Sequence, residues 1–393
     1  MISPDRMENV SQKRWGLFST ALYSLSFLVM GISFSMLGPT LPALAANTRT
    51  NLSDISFLFV ARSAGSMLGS IGGGRLLDRC RGHWVLAGSL LLLALVSGAV
   101  PGISLLWVLT VVMFFSGVVH GLLNVSGNVL LIWLHRQKVA PYMNALHFFF
   151  GLGTFIAPVL VAQVVVATGR MEGSYWLLAL ITLPLAFAPL FIQSPTPEAQ
   201  TRLEGKTPVS AWMIAGFFMI FFGYSGAAQA FGGWIFTYLS RLELANETTA
   251  AYLNSIFWGA LTAGRLLSIP LTLRFNPRDL LRADLIGATL SLGVIALFPT
   301  SLTAIAVGSA GLGFCLATIF PTNMSLASRH IPITGKIAGV FSIGSSLGAL
   351  VVPWLIGQLF EQMGAQVVIM LNLVNLLVTL GAYFGLMRAL KEK

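Results

Sequence analysis

The sequence predicts an all-α membrane protein of twelve transmembrane helices in two pseudo-symmetric six-helix bundles. Three observations lead there. First, 56% of the 393 residues are hydrophobic and only 9% are charged, and the mean hydropathy is +0.83. A soluble chain of this length needs far more charge to cover its surface. Second, the apolar runs are continuous, not alternating, and each can cross ~30 Å of hydrocarbon as a helix of about 20 residues. Barrel strands would alternate over about ten residues. Third, residues 16–193 are echoed by 211–388 at a constant offset of 195 positions. Gly31 maps on Gly226, Gly153 on Gly348, Arg79 on Arg274, Asn128 on Asn323, His135 on His330, Pro158 on Pro353 and Gln163 on Gln358. Shared Gly, Pro and polar positions at one offset mark a duplicated unit, the hallmark of many transporter scaffolds.

The spans read in order as 16–45, 53–74, 84–100, 104–133, 142–168 and 174–193, forming a first bundle within 1–193. A linker, 194–210, carries Pro195, Pro197 and Pro208. The spans 211–240, 249–272, 280–298, 301–327, 337–360 and 366–388 form the second bundle within 211–393. Positive charge fixes their direction. Arg6, Lys13 and Arg14 precede the first span, and Arg75, Arg79 and Arg81 follow the second. Arg136 and Lys138 follow the fourth, Arg202 and Lys206 lie in the linker, and Arg274, Arg278 and Arg282 follow the eighth. Arg329 and Lys336 follow the tenth, and Arg388, Lys391 and Lys393 the twelfth. The opposite loops hold only Arg49, Arg170 and Arg241, so both termini are expected in the cytoplasm.

This bias accounts for the formal charge of +10, and no basic folded surface for nucleic acid is expected. The first apolar run is too long for a cleavable signal. Cys80 and Cys315 imply neither a disulfide nor a metal site. Compact loops suggest a bacterial inner membrane. The expected partners are a small-molecule solute and the lipid bilayer, with the chain working as a monomer and without a cofactor.

Polar groups within the spans are costly and need a partner or a wet cavity. His120, Asn124 and Asn128 are spaced four apart on the fourth span and share one face. Amides and a neutral imidazole supply both donors and acceptors, which suits a polyhydroxylated ligand. The competing reading is hydrogen bonding between helices, worth ~0.6 kcal/mol each. Asn144 and His147 face together on the fifth span, and an imidazole ordinarily titrates near pH ~6.5. Arg62 is mid-span in the second helix, either bonded to backbone carbonyls or presenting its donor fork to a ligand. Tyr224, Gln229 and Trp234 lie on the seventh span, Asn254 and Trp258 on the eighth. Indoles stack on sugar C–H faces, and amides read hydroxyls. Trp15, Trp107 and Trp212 sit at span ends as interface residues. No loop carries a nucleophile–base pair, a paired carboxylate or a metal cluster, so an enzyme is not expected.

The loop Gly74-Arg-Leu-Leu-Asp78-Arg79-Cys-Arg81 resembles the signature of the major facilitator superfamily. That resemblance implies a latch on the cytoplasmic side, formed by Asp78 and Arg79 with Arg265. It also implies a central cavity lined by the first, fourth, seventh and tenth helices. Gly38-Pro-Thr-Leu, Phe57-Leu-Phe-Val-Ala-Arg62-Ser-Ala-Gly65, Gly127-Asn128, Ala145-Leu-His147-Phe, Gly232-Gly-Trp234 and the run 252–267 are similar to the sodium-dependent glucose transporter branch, related to the fucose–proton symporters. This chain departs from that pattern at Asn124, where an acid is usual, and at Ala228-Gln229. Asp54, Asp284 and Glu361 sit at span ends, which leaves no acid deep in a span. The expected function is secondary transport of a sugar by alternating access, either coupled to sodium or a proton, with His147 as the proton group, or uncoupled. The rivals are an organic anion or drug carrier using Arg62 and a solute sensor that does not transport.

Overall fold

The computed structural model describes residues 4–196, 210–331 and 335–391, so most of the linker, 197–209, lies outside the described residues. Among them are thirteen α-helices: α1 (Pro4–Thr48), α2 (Leu52–Ile55), α3 (Phe57–Arg79), α4 (Gly82–Ala99), α5 (Leu106–His135), α6 (Val139–Thr168), α7 (Glu172–Phe187), α8 (Ala211–Arg241), α9 (Glu247–Arg274), α10 (Pro277–Leu297), α11 (Leu302–His330), α12 (Gly335–Met363) and α13 (Val367–Lys391). Eleven membrane spans are long and apolar enough to cross a bilayer. Helix α9, with 28 residues, reaches about 42 Å at 1.5 Å per residue and completes the twelve. No strand occurs among the described residues.

The second span is broken near its start, which hydropathy alone does not reveal. Asn51 caps the four-residue α2 by accepting the Asp54 N–H at 2.7 Å. Its duplicate Asn246 caps α9 through the Thr249 N–H at 2.8 Å. Asx caps of this kind satisfy helix-start donors that would otherwise be orphaned. In the first half Ser56 then separates α2 from α3, whereas α9 runs on unbroken.

Glycine permits the tightest seams. A Cβ on Gly153 of α6 would strike the Leu28 carbonyl of α1, and one on its duplicate Gly348 of α12 would strike the Phe222 carbonyl of α8. The same close approach is thus built twice.

Chain direction alternates, so the α3–α4, α5–α6, α9–α10 and α11–α12 turns share one end with the linker. At the far end the two bundles are fastened together. Gln358 of α12 accepts from Ser53 Oγ at 3.0 Å, and its amide donates to Ser53 O at 3.0 Å and to Ser56 Oγ at 3.2 Å. Glu361 accepts the Leu52 N–H at 3.2 Å. On the other flank Gln163 donates to Tyr252 OH at 2.7 Å. The molecule is therefore closed at the far end, and its central space widens toward the linker end.

Candidate functional site

A cavity of about 240 Å³ lies between the bundles. It is lined by duplicated positions from both halves: Phe34 with Gln229, Ser63 with Trp258, Ser66 with Leu261, and Phe150 with Ser345. Each pair is separated by the offset of the internal repeat, so the cavity sits where the halves face each other. A second, larger chamber of about 910 Å³ continues toward the linker end, lined by Asn144, His147, Thr262, Pro321 and Ser328 among others. Tyr224 and Arg265 line both spaces and form the neck between them.

The deep cavity pairs apolar faces with unsatisfied polar groups. Phe34 has three rings around it, His120, Phe150 and Trp258, with centroids 6.0, 5.5 and 5.9 Å away. The Arg62 guanidinium lies 4.8 Å from the same ring centroid, and its Nη1 donates to the Phe34 carbonyl at 2.8 Å. His120 Nδ1–H donates to Ser116 O at 2.7 Å, which leaves Nε2 of the neutral ring as an acceptor. That Nε2, the indole N–H of Trp258 and the Ser345 hydroxyl are buried without a partner. Such orphans cost about 1–3 kcal/mol each, a penalty that a ligand reaching them would relieve. Ser63, Ser66, Ser225, Ser346 and the Gln229 amide add further donors and acceptors to the wall.

A model of the Major Facilitator Superfamily matches residues 23–353. The chain belongs to the major facilitator superfamily. Sodium-dependent glucose transporter 1 of Danio rerio is 33% identical over 91% of this chain and 66% of its own length. The Homo sapiens protein of the same name is 31% identical over 84% of this chain and 71% of its own length. The chain thus spans about two thirds of these relatives. The crystal structure of the nucleoside transporter NupG superposes with a TM-score of 0.77 at 14% identity, covering 95% of this chain and 99% of that one, which shows the shared fold. This major facilitator protein is a multi-pass membrane transporter, and its relatives do not favour the organic anion or drug reading of Arg62.

Arg62, His120, Gln229 and Trp258 meet in the deep cavity, and Asn144 and His147 line the chamber. Arg265 lines the neck between the two spaces, away from the latch position the loop signature implies. Asp78 and Arg79 line a separate pocket on the flank of the first bundle, and neither forms an ion pair across the halves among the described residues. The linker end is open, so a latch there is disengaged.

The other candidates line neither central space. Asn128 donates to the Asn124 carbonyl at 2.6 Å and to its side-chain oxygen at 3.1 Å, so the pair turns on itself. Asn254 is fully buried and donates to Gly232 O at 2.9 Å, sealing α9 to α8 beneath Gly38. Trp234 donates its indole N–H to Pro353 O at 2.9 Å and stacks on Phe360, which builds the closed far end.

Asp284 corrects the expectation that no acid lies deep. It is only 8% exposed, seven residues into α10, and accepts from Thr318 Oγ1 of α11, outside both central spaces. Helix α11 contributes Ala317, Phe320 and Pro321 to the larger chamber and nothing to the deep cavity. The second, fifth, eighth and eleventh spans supply much of the deep wall instead.

Sequence reasoning missed Phe34, Ser63, Ser66 and Phe150 because apolar and hydroxyl residues are common in any span. Their signal was the repeat itself, since each is the duplicate of a second-half residue that reaches the same cavity.

Proposed function

We propose that the protein carries a monosaccharide by alternating access, with sodium as the driving ion and the deep cavity as the sugar site. The observation that supports this most is the unpaired set beside the cavity: an indole N–H, an imidazole acceptor and a hydroxyl, set among aromatic faces. A pyranose offers a ring of groups that both donate and accept, with C–H faces between them. A volume of about 240 Å³ is on the scale of one sugar ring. The sodium-dependent glucose transporters among the relatives point the same way. Neither central space is lined by Asp or Glu, so a coupling cation there would be held by neutral oxygens.

The arginine-poor far end then faces outward, and the arginine-rich linker end faces the cytoplasm of a bacterium. The test is uptake of labelled glucose into proteoliposomes under an inward sodium gradient, a proton gradient, or neither. Sodium-driven accumulation is expected. Accumulation driven by protons alone, or only equilibration, removes the sodium assignment, and no uptake of any monosaccharide removes the sugar assignment. A flux in this assay also excludes a sensor that does not transport.

A further inference from the structure

The first bundle holds a solvent cavity that the central route does not use. It measures about 610 Å³ and lies at the linker end, under the α3–α4 turn and against the segment that follows α7. Arg79 and Arg81 supply its positive charge, and Asp78 is the one carboxylate in its wall. Both arginines are exposed, and neither forms a salt bridge among the described residues.

The floor of this cavity is fixed. His83 Nδ1–H donates to Ile192 O at 3.0 Å, its Nε2 accepts from Tyr23 OH at 2.6 Å, and its backbone N–H donates to Ser194 Oγ at 3.3 Å. The imidazole is therefore structural here, and the arginines are the groups left for a ligand. The rim is apolar and outward-facing: Trp84 is 65% exposed and Leu190 47%. Exposed indoles at span ends mark the level where headgroups meet hydrocarbon.

We propose that this pocket binds the phosphate headgroup of an anionic phospholipid. The guanidinium forks of Arg79 and Arg81 suit a phosphate diester. The acyl chains then lie over Trp84 and Leu190. A free phosphate would use the arginines and leave the apolar rim idle, and only a lipid uses both. Anionic lipids also concentrate against basic segments beside a membrane. Because Asp78 and Arg79 belong to the loop that would latch the linker end, a bound headgroup holds that loop in the disengaged state seen here. The proposal does not depend on which solute is carried.

The experiment measures the melting temperature of the purified full chain in nanodiscs of phosphatidylcholine, with and without phosphatidylglycerol. Phosphatidylglycerol is expected to raise it, and Arg81→Gln to remove at least half of that rise. Arg81 caps α4 without a side-chain hydrogen bond, so its replacement leaves the helix start intact. Arg278→Gln, in the first turn of α10 at the same end of the second bundle, should keep the full rise. Inorganic phosphate added to protein in neutral detergent should have no effect. The proposal is overturned by a wild type indifferent to phosphatidylglycerol, by a full rise in Arg81→Gln, by an equal loss in Arg278→Gln, or by stabilisation with phosphate alone.

Discussion

Trp258 and Asn254 sit one helical turn apart on α9, both are almost fully buried, and they are expected to behave oppositely. The Trp258 indole N–H has no partner and borders the deep cavity. Trp258→Phe keeps most of the aromatic bulk and removes that donor. One hydrogen bond is worth about 1–1.5 kcal/mol, so sugar affinity should fall about 5- to 10-fold with the melting temperature of the sugar-free protein little changed. Asn254 lines neither central space, and its side-chain N–H is already donated to Gly232 O, although its Oδ1 is buried without a partner. Asn254→Ala removes that bond across the α8–α9 seam, and Gly232 O keeps its place in the α8 helix, so the change should cost about 0.5–1.5 kcal/mol of stability, with sugar affinity per folded molecule unchanged. Ligand titration by intrinsic fluorescence together with thermal melting separates the two. If Asn254→Ala weakens binding while leaving stability intact, the seam assignment is wrong. Sequence alone could not make this distinction, because both residues are uncommon, polar and mid-span. What decides it is whether the polar atom finds a backbone partner, a fact of packing.

At the scale of elements the duplicated glycines are the clearest case of sequence legibility. The pairs Gly153 with Gly348 and Gly31 with Gly226 were visible as echoes before any coordinates, and each sits on a seam where its helix crosses another. Gly153→Ala places a methyl against the Leu28 carbonyl, and Gly348→Ala places one against the Phe222 carbonyl. Backbone atoms cannot step aside as a flexible side chain can, so each change should destabilise by about 1–3 kcal/mol. Gly72→Ala, in open space on α3, is the control and should melt like the parent or slightly above it, since alanine favours a helix. Span number and order were equally legible, because a run of about 20 apolar residues has few other fates. The α2 break was not. It rests on the Asn51 cap and on the tertiary contacts of Ser53 and Ser56, which leave no mark in hydropathy.

For the whole molecule, the state of the gate depends on two copies of one glutamine. Gln163 and Gln358 are duplicates, and each bridges the far end to the other bundle, but the bridges are unequal. Gln358 is partly buried and has three hydrogen bonds to Ser53 and Ser56, while Gln163 is exposed and has one to Tyr252. The duplicates of Ser53 and Ser56 are Thr248 and Ala251, so the second copy lacks the hydroxyl that Ser56 offers to Gln358. Gln358→Ala should therefore shift the population toward an open far end by about 2 kcal/mol, roughly 30-fold, and Gln163→Ala by about 0.5 kcal/mol, roughly twofold. The shift can be read by the labelling rate of a cysteine placed at Ala228, beside the deep cavity, in a background with Cys80→Ser and Cys315→Ser. The reagent must be confined to the far side of the membrane. Faster labelling in the Gln358 variant than in the Gln163 variant is the expected order, and equal or reversed rates would place the restraint elsewhere. The order matters for transport because an over-tight outer gate slows solute capture, while a loose one lets the solute back out. Because the two duplicated positions are unequal, one side of the interface acts as the main fastening and the other is the side expected to give first.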